Sequence, residues 1–146
     1  MNKLYLFLLI ILSVSCAQAD NVKKQPHIPL AVAELDSFRI GNEIVRVIRS
    51  YPDYSPVIYI ERIATPEFAL LESLAVNSVT LKNGEQLSFT KNISGVYADK
   101  VVMKDKTLHI AFEYFPEKGN GFLINCTLAV SAKSFSNMEC IRQKDL

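Results

Sequence analysis

The stretch Gly121–Arg142, GFLINCTLAVSAKSFSNMECIR, has the clearest strand alternation in the chain and holds two of its three cysteines. The residues of one parity in its first half are all apolar, as in the buried face of a strand: Phe122, Ile124, Cys126, Leu128 and Val130. An antiparallel hairpin that sets Cys126 opposite Cys140 also sets Leu128 opposite Met138. The cysteine spacing and the apolar alternation therefore predict one register, with a disulfide between Cys126 and Cys140 and a turn within Ala132–Ser136.

A structural disulfide is typical of an oxidising compartment, and the start of the chain predicts export. Lys3 supplies a positive charge, Leu4–Val14 is an apolar run too short to span a bilayer, and Ala17–Ala19 has the form of a cleavage site. We therefore expect a signal peptide at residues 1–19 and a mature protein in the bacterial periplasm. The alternative is a lipoprotein anchored through Cys16, but Ser13–Ser15 lack the leucine usual ahead of a lipidated cysteine.

Residues 20–29 are mostly polar and hold two prolines, which predicts a flexible lead-in to a single globular domain at residues 30–146. The whole chain has 16 Lys and Arg against 15 Asp and Glu; loss of the leader removes only Lys3, so the mature chain is formally neutral. It lacks the basic stripe typical of nucleic-acid binding, and no second apolar run reaches membrane-spanning length. We expect neither a nucleic-acid partner nor a transmembrane segment in the mature chain.

Two short helices are predicted in the N-terminal half. At Ile44–Tyr51 the apolar residues have helical spacing, and Asn42 and Pro52 suit a helix cap and a helix stop. The β-branched content of the same segment favours a strand, which is the alternative. Thr65–Val76 has a hydroxyl cap and then Pro66 at the first helical position, so we predict a second helix there.

Strands are predicted at Val57–Ile63 and throughout the C-terminal half, where the apolar period is two. A two-residue turn at the Asn-Gly pair ending at Gly84 would set apolar residues opposite polar ones. A three-residue loop with Gly84 left-handed sets Val79 opposite Leu87 instead, and this is the loop we predict. The predicted fold is α+β: one or two short helices in the N-terminal half packed on an antiparallel β-meander of about six strands, with the final hairpin closed by the disulfide.

The sequence has few features typical of catalysis. It contains no G-x-S-x-G, P-loop, G-x-G-x-x-G or H-E-x-x-H motif. His109 and Glu113 share one face of a predicted strand, but four residues of strand separate them by about 13 Å. His27 lies in the lead-in with no second metal ligand close in sequence. We therefore expect a non-enzymatic protein without cofactor or metal; a small hydrolase that uses carboxylates brought together by folding is the least favoured alternative.

The best candidate for partner binding is the loop Tyr51–Tyr59, whose proposed contact residues are Tyr51, Asp53, Tyr54 and Tyr59. Rigid aromatic side chains on loops often anchor protein interfaces; the alternative is that these tyrosines seal the edge of the core. The sequence thus predicts a small exported protein that binds a protein partner, for example as an inhibitor or immunity protein against a cell-envelope hydrolase or toxin. The alternative function is a structural or assembly subunit of the envelope, held by strand pairing at an exposed sheet edge.

Overall fold

The computed structural model describes residues 32–51, 58–131 and 133–146, and every regular element in these ranges is a β-strand. The strands are β1 (Val32–Ile40), β2 (Glu43–Ser50), β3 (Ile58–Ala64), β4 (Ala69–Val76), β5 (Ser78–Thr80), β6 (Gln86–Ser88), β7 (Ile93–Lys104), β8 (Thr107–Pro116), β9 (Phe122–Ala129) and β10 (Glu139–Asp145). The predicted α+β fold is therefore wrong: the described residues form ten strands and no helix, where the sequence suggested one or two short helices packed on a meander of about six strands.

The strands form three antiparallel sheets, and each sheet is built from strands that are neighbours in sequence. A first sheet has the order β1-β2-β3-β4, a second sheet has the order β10-β9-β8-β7, and β5 pairs with β6 in a small hairpin. Two-residue turns close β1–β2 and β7–β8. Gly41 in the first turn has a φ of +58°, and Asp105 and Lys106 in the second have φ of +48° and +60°, as tight hairpin turns require.

The segment Ile44–Tyr51 is a strand in the structure and lies almost entirely in β2, so its prediction as a helix is wrong. β2 is a central strand, paired with β1 on one side and with β3 on the other. Val45 and Val47 point into the core with 0% exposure, and Ile48 is buried on the opposite face. A strand buried on both faces does not alternate strictly, which is why its apolar spacing resembled that of a helix.

The predicted helix at Thr65–Val76 is also wrong, because residues 65–68 form a turn and Ala69–Val76 form β4. The amide and the hydroxyl of Thr65 both donate to the carbonyl of Asn42, at 2.9 and 2.8 Å, so Thr65 joins two turns instead of capping a helix. Alanine, leucine and glutamate favour helices in isolation. The ladder between β3 and β4 supplies tertiary pairing that outweighs this preference.

One apolar core lies between the first and second sheets, and the small hairpin also contributes to it. Its buried side chains come from the first sheet, then from the small hairpin and the residues beside it, and then from the second sheet. In sequence order they are Val45, Val47, Ile58, Ile60, Val76, Val79, Leu81, Leu87, Phe89, Val96, Leu108, Ile110, Phe112, Tyr114, Phe122, Ile124, Cys126, Leu128, Val130 and Cys140. Phe89, just after β6, has its ring 5.0 Å from that of Phe112. The domain is thus a β-sandwich with a hairpin packed into its core.

Two registers predicted from the sequence are confirmed. Cys126 pairs with Cys140 across the final hairpin, the two form a disulfide, and each is 1% exposed. In the small hairpin Val79 is opposite Leu87, and Gly84 has a φ of +88°, as the predicted three-residue loop requires. The predicted pair of Leu128 with Met138 is not part of the final ladder, which ends at Thr127 and Glu139, and Val130 forms a bridge with Phe135 closer to the turn.

Two arginine side chains of the first sheet, Arg62 and Arg49, connect neighbouring strands or the two sheets. Arg62, whose side chain is 2% exposed, binds Glu43 on β2 and Glu72 on β4 through contacts of 2.9 and 3.1 Å. Arg49 donates to the carbonyl of Ala98 on β7 at 3.0 Å. Arg62 therefore fastens strands within the first sheet, and Arg49 fastens the first sheet to the second.

Candidate binding face

The second sheet presents a continuous face to solvent, which we call the outer face. Its members alternate with the buried core residues of β7, β8, β9 and β10. Pairing places them in three rows across the strands: Val102, His109, Thr127 and Glu139; then Lys100, Ala111, Asn125 and Ile141; then Tyr97, Glu113 and Leu123. His109 and Glu113 do share this face, as predicted, and the row of Ala111 lies between them.

The outer face exposes large apolar side chains. Tyr97 is 45% exposed, Val102 is 40% exposed and Ile141 is 45% exposed. The ring of Phe115 lies beside that of Tyr97, with centroids 5.9 Å apart and planes nearly perpendicular, an arrangement that aromatic pairs favour. Leu123 is half-buried in the same row as Tyr97. Aromatic and branched apolar residues therefore extend across all four strands of this face.

A shallow concavity of about 440 Å³ lies in the middle of the outer face. Ala111, Asn125 and Thr127 are among its lining residues, and their small side chains form its floor. Val102 on β7 and Ile141 on β10 line it from opposite sides. The hollow is therefore an open depression with apolar walls and a partly polar floor.

A second hollow of about 350 Å³ lies farther along β7 and β8 and includes Gly95, Tyr97, Glu113 and Phe115. A side chain at Gly95 would bring its Cβ to 3.2 Å from the ring of Tyr97. The absence of a side chain at this position thus lets the Tyr97 ring lie close to the backbone. In this position the Tyr97 ring lies edge-on to that of Phe115.

The shape of β7 is fixed from the opposite side of the sandwich. A register shift between Ala98 and Lys100 leaves Asp99 as an extra residue in the ladder with β8. Bulges of this kind bend a strand and re-aim its side chains. Arg49 of the first sheet donates to the carbonyls of Ala98 and Asp99 at 3.0 and 3.2 Å, so the bulge that precedes Lys100 is anchored.

The charged groups of the outer face are dispersed. Lys100, His109 and Glu139 are exposed, and Glu113 is half-buried. Among residues 32–51, 58–131 and 133–146, no group of three or more His, Cys, Asp and Glu side chains is placed to hold a metal ion. This arrangement suits contact with a protein surface of complementary charge, because dispersed charges fix the orientation of a bound partner while the apolar side chains between them are covered.

The structure describes two of the four residues that the sequence proposed for a binding loop, Tyr51 and Tyr59. Tyr51 is 54% exposed, whereas Tyr59 is half-buried on β3, opposite Ile48. Asp53 and Tyr54 lie outside the described residues, so the loop as a whole remains a prediction. The face of the first sheet that holds Tyr59 also holds Ile63, which is 4% exposed, and it therefore offers little free apolar surface at its centre.

Sequence reasoning missed the outer face because alternation assigned apolar side chains to the core only. The signal was present in apolar residues of the opposite parity, at Val102, Phe115 and Leu123. These residues become one surface only when the register of four strands is known. A single hairpin register could not reveal it.

Comparison with known proteins finds no match to the chain among family descriptions, curated proteins or solved structures. Within the part of the chain that the structure describes, no helix has the length and apolar character needed to cross a bilayer.

Proposed function

We propose that the mature chain is an exported, non-enzymatic protein that binds a protein partner through the outer face of its second sheet. The observation that carries the proposal is the exposure of Val102 and Ile141 at a shallow concavity and of Tyr97 at the second hollow on the same face. Single apolar residues on a surface are ordinary, but several on one continuous face mark an interaction site. A partner that covers them gains roughly 25 cal/mol for each square ångström of apolar surface removed from water.

The shape of the face favours a protein over a small molecule. Small ligands bind in hollows that enclose most of their surface. The hollow between Val102 and Ile141 is open, and its apolar surroundings extend to Tyr97 and Phe115 in neighbouring rows. Exposed apolar side chains distributed over this area suit the broad interface formed with a second protein, in which aromatic residues often contribute most of the binding energy.

Export is part of the proposal and is supported by two features that are far apart in the chain. The leader-like residues 1–19 end in a cleavage motif. The disulfide between Cys126 and Cys140 suits an oxidising compartment, of which the periplasm is the simplest example. A compact domain of this kind, with a contact face and no recognised catalytic motif, fits an inhibitor or immunity protein directed at an envelope hydrolase or toxin.

The test is native affinity capture with surface variants. The full chain, expressed with its own leader and an affinity tag, is captured from envelope extracts of its source organism. The double variant Val102→Glu/Ile141→Glu places charges on the apolar walls of the hollow and leaves the core untouched. We expect the natural chain to retain one protein in stoichiometric amount and the double variant to lose at least nine-tenths of it, since each buried charge costs more than tenfold in affinity.

Leu35→Glu is the matched control, because Leu35 is a similarly exposed apolar residue, 41% exposed, on the first sheet. It should retain the partner as well as the natural chain does. Circular dichroism verifies that all variants are folded. Equal capture by the natural chain and the double variant would contradict the assignment of the face, and failure to recover any stoichiometric protein would contradict the binding function.

A further inference from the structure

Three of the four edge strands of the two four-stranded sheets have features that hinder pairing with another chain. Natural proteins protect sheet edges with charged side chains, bulges or covering segments. β1 carries Glu34, Asp36 and Arg39. β7 is interrupted by two register shifts. β10 is contacted by the small hairpin, where the amide of Lys82 donates to the carbonyl of Cys140 at 2.9 Å.

β4, the fourth edge, lacks these features in the part that follows its bulge, Glu72–Val76. Glu72 is the single charged residue in its sequence, ALLESLAV. Its carboxylate faces the interior, where it accepts from Arg62 at 3.1 Å and from the amide of Phe135 at 3.0 Å. Among the described residues β4 pairs only with β3. Strands of this composition with a free edge are sites of strand addition.

Two large apolar residues stand at the start of this edge. Phe68 is 57% exposed and Leu71 is 50% exposed. Phe68 has a φ of +52°, which a bulky residue adopts only at a cost in free energy. Leu71 is the extra residue of the bulge opposite Arg62 and Ile63. Exposed apolar side chains beside an unprotected edge are a second, independent sign of an interaction surface.

We propose that two copies of this chain associate by antiparallel pairing of β4 with β4 about a two-fold axis at Leu74. In an antiparallel pair, directly opposed residues point to the same face of the sheet. Two identical strands meet this requirement only when the two-fold axis passes between the two copies of one residue. An axis at Leu74 sets Glu72 opposite Val76 and Ser73 opposite Ala75. This register uses the whole regular part of β4 and joins two four-stranded sheets into one.

A second copy is the favoured occupant because β4 does not repel itself. In a two-fold contact each charged edge meets an identical charged edge, which disfavours self-pairing of β1. On β4 the charge of Glu72 is offset by Arg62, and the residue opposite it is Val76. The formally neutral mature chain adds no net repulsion between copies. The association uses a surface distinct from the outer face and does not depend on the proposed partner binding.

The experiment is sedimentation of the mature protein over a range of concentrations, compared with charged variants of β4. Ser73 and Ala75 are exposed, so charges are tolerated in the monomer. In Ser73→Lys/Ala75→Lys, each lysine would lie directly opposite a lysine of the second copy. We expect the natural chain to dimerise reversibly and this variant to dimerise about tenfold more weakly or not at all.

Charge reversal tests the register itself. Ser73→Glu/Ala75→Glu should also fail to dimerise, whereas an equimolar mixture of the lysine and glutamate variants should form a heterodimer, because opposite charges would then face each other. Leu35→Lys/Ser37→Lys is the matched control on the opposite edge of the same sheet, and it should dimerise like the natural chain. A natural chain that is monomeric at every concentration, an unaffected lysine variant, or a mixture that stays monomeric would overturn the proposal.

Discussion

Arg62 and Glu61 put two charges in the middle of β3, a central strand of the first sheet, where both side chains are buried. Unpaired, each would cost several kcal/mol. Arg62 is bound by Glu43 and Glu72 from the two neighbouring strands. Glu61, on the opposite face, accepts from Nε of Arg46 at 2.8 Å. Ion pairs to the neighbouring strands therefore compensate the two buried charges, and this lets β3 occupy a central position in the sheet.

Tyr114 is the residue of the core whose ionisation matters for stability. Its hydroxyl donates to the carbonyl of Ser88 at 3.2 Å. Burial, and then the carboxylate of Glu85, raises the pKa of Tyr114 above its ordinary value of 10.0. The unfolded chain thus loses this proton at a lower pH than the folded chain does. The stability associated with Tyr114 is complete below pH 10 and is lost as the pH rises above about 10.

The variant Tyr114→Phe tests this linkage. At neutral pH it should lower the free energy of unfolding by about 1 kcal/mol, through loss of the hydrogen bond to Ser88. Above about pH 10 the gap to the natural chain should narrow, because phenylalanine does not ionise. Urea unfolding at a series of pH values measures both effects, with Tyr97→Phe as the exposed control. A gap that is constant or grows with pH would contradict the assignment.

At the scale of elements, the disulfide closes the final hairpin between β9 and β10. Cys126 and Cys140 are separated by 14 residues in sequence. A crosslink over a loop of this length stabilises the fold by about 3 kcal/mol in the chain-entropy model. We expect Cys126→Ala/Cys140→Ala to lose about that much in urea unfolding, and the reduced natural chain to be destabilised similarly. A loss below about 1 kcal/mol would contradict this role, given the usual 2–4 kcal/mol of such crosslinks.

The hairpins were predictable because two local patterns agreed in each. In the final hairpin the cysteines and the apolar alternation selected one register, and in the small hairpin Gly84 and the pairing of Val79 with Leu87 did so. β2 and β4 were not predictable in this way. β2 is buried on both faces, and β4 consists mainly of helix-forming residues whose strand conformation comes from pairing with β3. The conformation of β2 and β4 depends on the strands that pair with them, and the residues within each segment do not indicate that pairing.

The candidate binding face was even less accessible from the sequence. Tyr97, Val102 and Ile141 lie on β7 and β10, the two edges of the second sheet, and β8 and β9 separate them. Their proximity depends on three ladders at once and on the bulge at Asp99. The loop Tyr51–Tyr59 was proposed because its aromatic residues are close in sequence, which a surface built across strands does not require.

At the scale of the whole molecule, the two sheets of the sandwich differ in what they present outwards. The first sheet has Ile48 and Ile63 buried on its face away from the core, at 1% and 4% exposure. The second sheet leaves Tyr97, Val102 and Ile141 between 40% and 45% exposed. The second sheet therefore leaves apolar side chains accessible on its outer face, and the proposed partner would cover that face.

Site-specific photo-crosslinking in living cells tests the partner-binding face most directly. A photo-reactive amino acid is placed singly at Val102 or Ile141 on the outer face, at Tyr51 in the sequence-predicted loop, or at Leu35 on the first sheet. We predict one discrete heavier adduct from Val102 and from Ile141, with the same partner in both, and none from Leu35. Absence of an adduct at both outer-face positions, or adducts at Tyr51 alone, would contradict the account.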